Sequence, residues 1–147
     1  MPLYAISTRQ RLSLDLKTEI AQMITGVHCH HTGAPEWFVN VMFWTHIPLR
    51  GAEDIHVFAS VRAGRPLVLQ ARLENAIVKR LASLVETSEA RVGYGVFEVP
   101  SSDIMEGGAV LPEPGQEAAW LAKNAGHGPS SGAADSATSA PNRVGQA

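Results

Sequence analysis

The chain has 147 residues, of which 45% are hydrophobic and 18% are charged, and its formal net charge is -2 at pH 7. This length favours one domain, and the balanced charge gives no indication of a nucleic-acid groove or a polybasic membrane patch. Cys29 is the only cysteine, which excludes an intramolecular disulfide. Since no signal peptide and no bilayer-length apolar stretch is recognisable, we expect a cytoplasmic protein with no nucleic-acid or membrane partner.

The first third of the chain predicts a strand, a helix and a second strand. Residues 2–8 form a short apolar run that is typical of a strand. Residues 13–33 carry apolar side chains at helical spacing, with Ser13 suited to the N-cap and Gly33 to the C-terminal stop. Residues 36–47 are rich in aromatic and β-branched side chains, which predicts the second strand.

The same order of elements then repeats. Residues 55–64 predict a strand, residues 65–86 predict a helix, and residues 91–100 predict a strand that two glycines weaken. We therefore expect an α/β (α+β) fold of two tandem β-α-β units, with both helices on one face of a four-stranded sheet. The domain should span residues 2–123, and the Gly-, Pro- and Ser-rich residues 124–147 predict a disordered tail.

The predicted sheet is apolar on both faces. Met42, Trp44 and Phe58 alternate with the side chains that would face the helices. A sheet with helices on one face should be polar on the other, so something must cover this second face. Residues 100–123 could wrap over it, but a second copy of the chain is the better explanation, because large apolar surfaces usually mark interfaces.

Pro2 is the first candidate for chemistry. Removal of the initiator Met1 would leave it as a secondary amine at the mouth of the first strand. An α-amino group has a pKa near ~8 when unperturbed, and nearby cations or desolvation lower that pKa. Such a group can act as an acid or a base near neutral pH, although many chains begin with Met-Pro and have no such chemistry.

Two arginines and an acid are further candidates. Arg62 and Arg65 lie where a predicted strand gives way to a helix, and guanidinium groups bind carboxylates through paired hydrogen bonds. On spacing alone, both arginines could equally be solvated loop residues. Glu106 follows the last strand in a glycine-rich segment and matters only if it folds back beside Pro2.

The histidines near the end of the first helix could suggest a metal site. His28 and His31 have a spacing that shares a helix face, but neighbouring positions such as Cys29 do not face the same point. A second pair of ligands with metal spacing is missing from the sequence. We therefore expect no metal and no cofactor, and we rank a metal-binding module last.

Five stretches stand out together by their order and spacing: "MPLY", "RLS", "ITGVHCHHTG", "VRAGR" and "FEVPSSDIMEGGAVLPEPG". In this combination the chain resembles the tautomerase superfamily, and within it the group of cis-3-chloroacrylic acid dehalogenase. The resemblance runs from Pro2 to about Trp120. It implies two fused β-α-β units, a catalytic amino-terminal proline and assembly as a homotrimer.

The resemblance also implies roles for single residues. Pro2 matches the catalytic proline, and His28 matches a histidine that contacts the substrate carboxylate. Arg62 and Arg65 match the pair that binds and polarises that carboxylate. Glu106 matches an acid that activates water together with a tyrosine in the hydrolytic members.

This sequence departs from the family at that tyrosine. Gly95 stands in its place, and Tyr94 is one residue away. A shift of one residue along a strand sends a side chain to the opposite face, so Tyr94 reaches the site only if a bulge intervenes.

The resemblance therefore favours a tautomerase that acts on 2-oxo or 2-hydroxy unsaturated carboxylates, with a small carboxylate as its partner molecule. The alternatives are a cis-3-haloacrylate dehalogenase or a hydratase of acrylates or acetylenic acids. A non-catalytic oligomeric binding protein is the alternative from another functional class.

Overall fold

The computed structural model describes residues 2–106 and 108–124. Met1 and most of the predicted tail, residues 125–147, lie outside the described residues. None of the helices in the described ranges combines the length and the apolar character needed to cross a bilayer. The elements are β1 Leu3–Thr8, α1 Leu14–Thr32, β2 Asn40–Thr45, β3 Ile55–Arg62, α2 Leu67–Leu84, β4 Val92–Val99, β5 Met105–Glu106, β6 Ala109–Val110 and α3 Glu117–Lys123.

The first four strands form one sheet in the order β2-β1-β3-β4. Strand β1 pairs in parallel with β2 and antiparallel with β3, and β3 pairs in parallel with β4. Each parallel pair is joined through one long helix, which confirms the predicted tandem β-α-β plan. Because β1 and β3 are antiparallel, the two units start at opposite ends of the sheet.

Helix α1 begins and ends as its sequence predicts. The Ser13 side chain accepts a hydrogen bond from the Leu16 backbone N–H at 3.1 Å, which satisfies one of the free donors of the first turn. Gly33 has a φ of 69°, and its N–H donates to the Cys29 carbonyl at 2.9 Å. A left-handed residue ends a helix at little cost only when it is glycine.

The core lies between the sheet and the two long helices, which share one face as predicted. Strand side chains alternate, so every second residue of β1 and β3 points toward the helices. The buried apolar residues at the centre are Tyr4, Ile6, Ile20, Ile24, Val57, Ile77 and Leu81.

The second strand is shorter than predicted. Residues 36–38 form a 3-10 turn, in which the Phe38 N–H donates to the Pro35 carbonyl at 3.0 Å. The strand begins only at Asn40, and it ends at Thr45 because His46 adopts a φ of 63°. Phe38, one of the aromatic residues that suggested an earlier start, is buried in this turn instead of belonging to the strand.

The sheet face away from the helices stays exposed and apolar. Met42, Trp44, Phe58 and Phe97 remain between 36% and 56% exposed. Residues 100–106 and 108–124 pack near Arg62 and Phe38 at one end of the sheet and leave this face exposed. The alternative in which residues 100–123 wrap over the second face therefore does not hold for the described residues, whereas the expected surplus of apolar surface is confirmed.

Candidate functional site

A small cavity at the start of β1 brings together four of the residues that the sequence singles out. Pro2, His28, Arg62 and Arg65 all contribute to its lining. They come from separate parts of the chain: the residue before β1, the end of α1, the last residue of β3 and the loop before α2. The fold thus collects them at one end of the sheet.

The backbone around the cavity fixes two of these positions. The Pro2 carbonyl accepts a hydrogen bond from the Asn40 N–H at 3.0 Å, so the start of β1 is tied to β2. Gly64, between the two arginines, has a φ of 85°, which favours glycine. A Cβ there would lie 3.5 Å from Cγ of Pro114, so the turn also sits against the C-terminal segment.

His28 is held from behind by Tyr4. The Tyr4 hydroxyl lies 2.8 Å from Nδ1 of His28, and the two residues are 0% and 1% exposed. Burial, with a further contribution from Arg65, lowers the pKa of His28 to about 3. Burial also raises the pKa of Tyr4 above its ordinary value. Both groups are therefore neutral near pH 7.

The Tyr4–His28 pair is compatible with either tautomer, since a neutral hydroxyl and a neutral imidazole nitrogen can each donate or accept. When the Tyr4 hydroxyl donates to Nδ1, the hydrogen of the neutral ring is on Nε2. Nε2 of His28 is buried and has no hydrogen-bond partner within residues 2–106 and 108–124. The ring can therefore offer a neutral N–H donor to an acceptor in the cavity. Sequence reasoning missed Tyr4, although a buried tyrosine usually needs a partner for its hydroxyl.

Arg62 is bound by its own chain. It is 7% exposed. Its Nη1 donates to the Pro112 carbonyl, and its Nη2 forms an ion pair with Oε1 of Glu117. The other oxygen of Glu117 accepts a hydrogen bond from the Gly115 N–H at 2.7 Å. Glu117 was not predicted, because an acid 55 residues away from Arg62 gives no local signal.

Glu117 is a carboxylate in this arrangement. Burial acts to raise its pKa, but hydrogen bonds from its own backbone N–H and from Arg62 outweigh burial and hold the pKa below the usual range. Glu117 also lines the cavity beside both arginines. The cavity thus already contains one fixed negative charge.

Arg65 is the less engaged of the two arginines. Its Nε is buried and has no hydrogen-bond partner in the described part of the chain. Burial and the neighbouring Arg62 lower the pKa of Arg65, yet a guanidinium keeps its proton in proteins. Arg65 therefore presents a positive charge to the cavity.

The two remaining predicted site residues lie outside this lining. Glu106 is in β5, and burial raises its pKa. Tyr94 is in β4 and faces the helices, where it shares a separate small cavity with His28 and Arg65. Strands β3 and β4 pair in unbroken register from Val92 to Val99, so no bulge turns Tyr94 toward Pro2. Functional roles for Glu106 and Tyr94 stay predictions.

The outer wall of the cavity comes from the C-terminal segment. Trp120 of α3 packs edge-on against Phe38, with ring centroids 6.0 Å apart, and its Nε1 donates to the Val110 carbonyl at 2.7 Å. The enclosed space is about 30 Å³, which holds only one or two water molecules.

The residues of a possible metal site do not converge. No group of three or more His, Cys, Asp or Glu side chains in the described ranges is placed to hold a metal ion. His28 points to Tyr4, whereas His30 and His31 pack against each other with ring centroids 5.1 Å apart. The ligand set that a metal-binding module would need is not assembled from these histidines.

No protein-family model and no curated protein matches the sequence. Solved structures do. The chain is similar to N1, a member of the cis-3-chloroacrylic acid dehalogenase family, with 28% identity, a TM-score of 0.75 and coverage of 82% of this chain and 90% of that one. It is also similar to a fused 4-OT solved as an asymmetric trimer, with 18% identity, a TM-score of 0.67 and coverage of 74% and 94%.

A malonate semialdehyde decarboxylase inhibited by 3-bromopropiolate is a third similar structure. It is 17% identical, with a TM-score of 0.61 and coverage of 70% of this chain and 87% of that one. At these identities, the last two structures support the fold alone. The three together confirm the architecture that the tandem pattern predicts.

Proposed function

We propose that the chain, whose fold is that of the tautomerase superfamily, is an enol–keto tautomerase with Pro2 as general acid and base. Its substrates would be 2-oxo or 2-hydroxy unsaturated carboxylates. The observation that carries the proposal is that Pro2, His28 and Arg65 line one cavity. Each supplies a different part of the chemistry.

The division of roles follows from charge and protonation. Arg65 binds the substrate carboxylate through its guanidinium fork, and Arg62 adds positive charge from the cavity wall. The Nε2–H of His28 donates to a substrate oxygen, either of the carboxylate or at C2. Pro2 then moves a proton between that C2 oxygen and carbon, so no water or leaving group is needed.

The proposal supposes that Met1 is removed, so that the Pro2 nitrogen is a free secondary amine. Met1 lies outside the described residues. Desolvation in the cavity and the positive charge of Arg62 and Arg65 both lower the pKa of an amine. From an ordinary value near ~8, such lowering yields a base near neutral pH.

Tautomerisation demands less of this site than hydration does. A hydratase or dehalogenase must orient and activate water, the role that the family resemblance gives to Glu106 with a tyrosine. Glu106 lies outside the cavity lining, and Tyr94 faces the helices. The second candidate is nevertheless a cis-3-haloacrylate dehalogenase, which the similarity to N1 favours.

We further propose that the protein works as a homotrimer that assembles through the exposed sheet face. Met42, Trp44, Phe58 and Phe97 form that face, and contiguous apolar surface of this kind usually marks an interface. The similar fused 4-OT is a trimer.

Pro2→Ala tests the catalytic proposal. Intact mass first establishes that Met1 is absent from the purified protein, and turnover of phenylenolpyruvate is then measured. Loss of a general acid–base group should lower kcat by about 10²-fold or more. Pro48→Ala, at an exposed proline outside the cavity lining, is the matched control and should act like wild type.

Three results separate the alternatives. Equal turnover by Pro2→Ala contradicts the role of Pro2. Chloride release from cis-3-chloroacrylate that Glu106→Gln abolishes identifies the dehalogenase. No turnover of either compound by protein with a free Pro2 amine identifies a binding protein.

A further inference from the structure

The cavity contains an acid as well as the two arginines. Its charged lining residues are Arg62, Arg65 and Glu117, whereas His28 is neutral near pH 7 because burial lowers its pKa. When Pro2 acts as a base its amine is neutral too. The lining therefore carries two positive charges and one negative charge.

Glu117 is fixed in place rather than free to swing into solvent. One carboxylate oxygen is paired with Arg62, and the other accepts the Gly115 N–H at 2.7 Å. The Trp120 indole, one turn further along α3, is anchored to the Val110 carbonyl at 2.7 Å. The negative charge consequently belongs to the resting site.

Arg62 has little capacity left for a ligand. Its Nη1 and Nη2 already contact the Pro112 carbonyl and Glu117. Nε is buried without a partner in both arginines within residues 2–106 and 108–124, so the two differ at their Nη atoms. A substrate carboxylate can reach the Nη atoms of Arg62 only by competing with Pro112 and Glu117. A single ligand carboxylate therefore has Arg65 as its available guanidinium partner.

We propose that Glu117 is a specificity-determining residue that restricts the site to ligands with a single carboxylate. This inference rests on the proposed function, because it concerns the same carboxylate site. A monoanion balances the net positive charge of the lining. A second carboxylate would meet Glu117 at close range in a partly buried space, where like charges repel strongly and an unpaired charge is costly.

Acrylate and fumarate test the inference, because they differ by one carboxylate. Their binding to the full-length wild-type protein and to Glu117→Gln is measured by titration calorimetry at one ionic strength. Glu113→Gln is the matched control, since it removes the same charge from an exposed position in the same segment. Binding requires no turnover, so the result does not depend on the catalytic role of Pro2.

Wild type should bind acrylate at least about tenfold more tightly than fumarate, the size of effect that one neighbouring charge has on an ionised group in a partly buried site. Glu117→Gln should narrow that ratio by about tenfold, and Glu113→Gln should leave it unchanged. Glu117→Asp keeps the charge and should keep the ratio of wild type.

Several outcomes would overturn the inference. Equal binding of fumarate and acrylate by wild type would do so without any variant, even if Glu117→Gln failed to fold. An unchanged ratio in Glu117→Gln, or equal weakening of both ligands, would reduce Glu117 to a support for Arg62. If wild type prefers acrylate as expected but Pro2→Ala turns over phenylenolpyruvate as fast as wild type, the proposed function is contradicted and the inference about Glu117 is not.

Discussion

The hydroxyl of Tyr4 lies 2.8 Å from Nδ1 of His28, in a part of the molecule where both side chains are almost fully buried. Tyr4 belongs to β1 and His28 to α1, so the contact joins the sheet to the helix layer directly beneath the cavity. A buried polar pair of this kind stabilises the fold only when both partners are satisfied. When the Tyr4 hydroxyl is the donor, the contact also holds the hydrogen of the His28 ring on Nε2.

We predict that Tyr4→Phe releases this tautomer. In wild type, two-bond ¹⁵N correlation spectra should show that His28 is protonated at Nε2 and unprotonated at Nδ1. Removal of the hydroxyl leaves Nδ1 without a donor, so the spectra should show a mixture of tautomers, and unfolding free energy should fall by about 1–3 kcal/mol. Tyr94→Phe changes the only other tyrosine and should leave the His28 signals alone. Wild-type His28 protonated at Nδ1 would refute the assignment.

A second prediction concerns stability against pH. Burial lowers the pKa of His28 to about 3, whereas a histidine in the unfolded chain titrates near its ordinary 6.5. Below pH 6.5, His28 binds a proton in the unfolded state but stays neutral in the folded state until about pH 3. The unfolding free energy therefore falls as the pH falls. Between pH 6 and 4.5, urea unfolding should show a loss of about 1 kcal/mol per pH unit.

Two variants isolate the contribution of His28 to that slope. His28→Gln should flatten the dependence between pH 6 and 4.5, because no group then changes its protonation at this position. His30→Gln, at an exposed histidine of the same helix, should keep the wild-type slope. Equal slopes in wild type and His28→Gln would contradict the prediction.

A third prediction concerns the two glycines of β4. A Cβ at Gly93 would overlap with Nδ1 of His56 and with the Glu53 carboxylate, which lie over that position. Gly93→Ala should therefore displace the partly exposed side chains of His56 and Glu53 and lower the unfolding free energy by up to about 1 kcal/mol, through the loss of their 3.1 Å contact. At Gly95 the nearest atoms, on His56 and Phe58, would be 3.6 and 3.7 Å away, so Gly95→Ala should be tolerated.

Chemical denaturation of both variants measures this difference. Adding Gly93→Ala to His56→Ala should cause little further loss, because the contact between His56 and Glu53 is then already absent. A Gly93→Ala variant as stable as wild type would show that His56 and Glu53 move aside freely.

A fourth prediction concerns the exposed sheet face. Phe58→Glu places a charge in its middle and should dissociate the proposed homotrimer, which light scattering after size-exclusion chromatography would detect. Leu67→Glu is the matched control: Leu67 is 80% exposed but belongs to α2, away from the sheet face. A Phe58→Glu protein of unchanged mass would place the interface elsewhere, and a monomeric wild type would remove the homotrimer altogether.

The local signals in the sequence were enough for the two long helices and for the succession of the four main strands along the chain. Ser13 and Gly33 act within one turn of their own positions, so their capping roles can be predicted without knowledge of the fold. The apolar stripes of α1 and α2 likewise depend on spacing alone. The start of β2 was predicted too early, because aromatic composition does not distinguish a strand from a buried 3-10 turn such as that of Phe38.

The contacts around the cavity are of another kind. Tyr4 meets His28 across 24 residues, and Glu117 meets Arg62 across 55. Such pairs depend on how β1, α1 and α3 pack, and neither Tyr4 nor Glu117 differs locally from an ordinary strand tyrosine or an exposed acid. Pro2, Arg62 and Arg65 could be singled out by their residue chemistry, but only the family resemblance gave each of them a role.

The antiparallel pairing of β1 with β3 also determines how many reactive ends one chain provides. Pro2 lies just before β1, and Asp54 occupies the corresponding position before β3, at the opposite end of the sheet. Asp54 accepts hydrogen bonds from Thr87 and Arg91. A hydrogen-bonded acid therefore occupies the position in the second unit that corresponds to Pro2 in the first. The backbone repeats but the chemistry does not, so each polypeptide should provide one reactive proline amine after removal of Met1, rather than two.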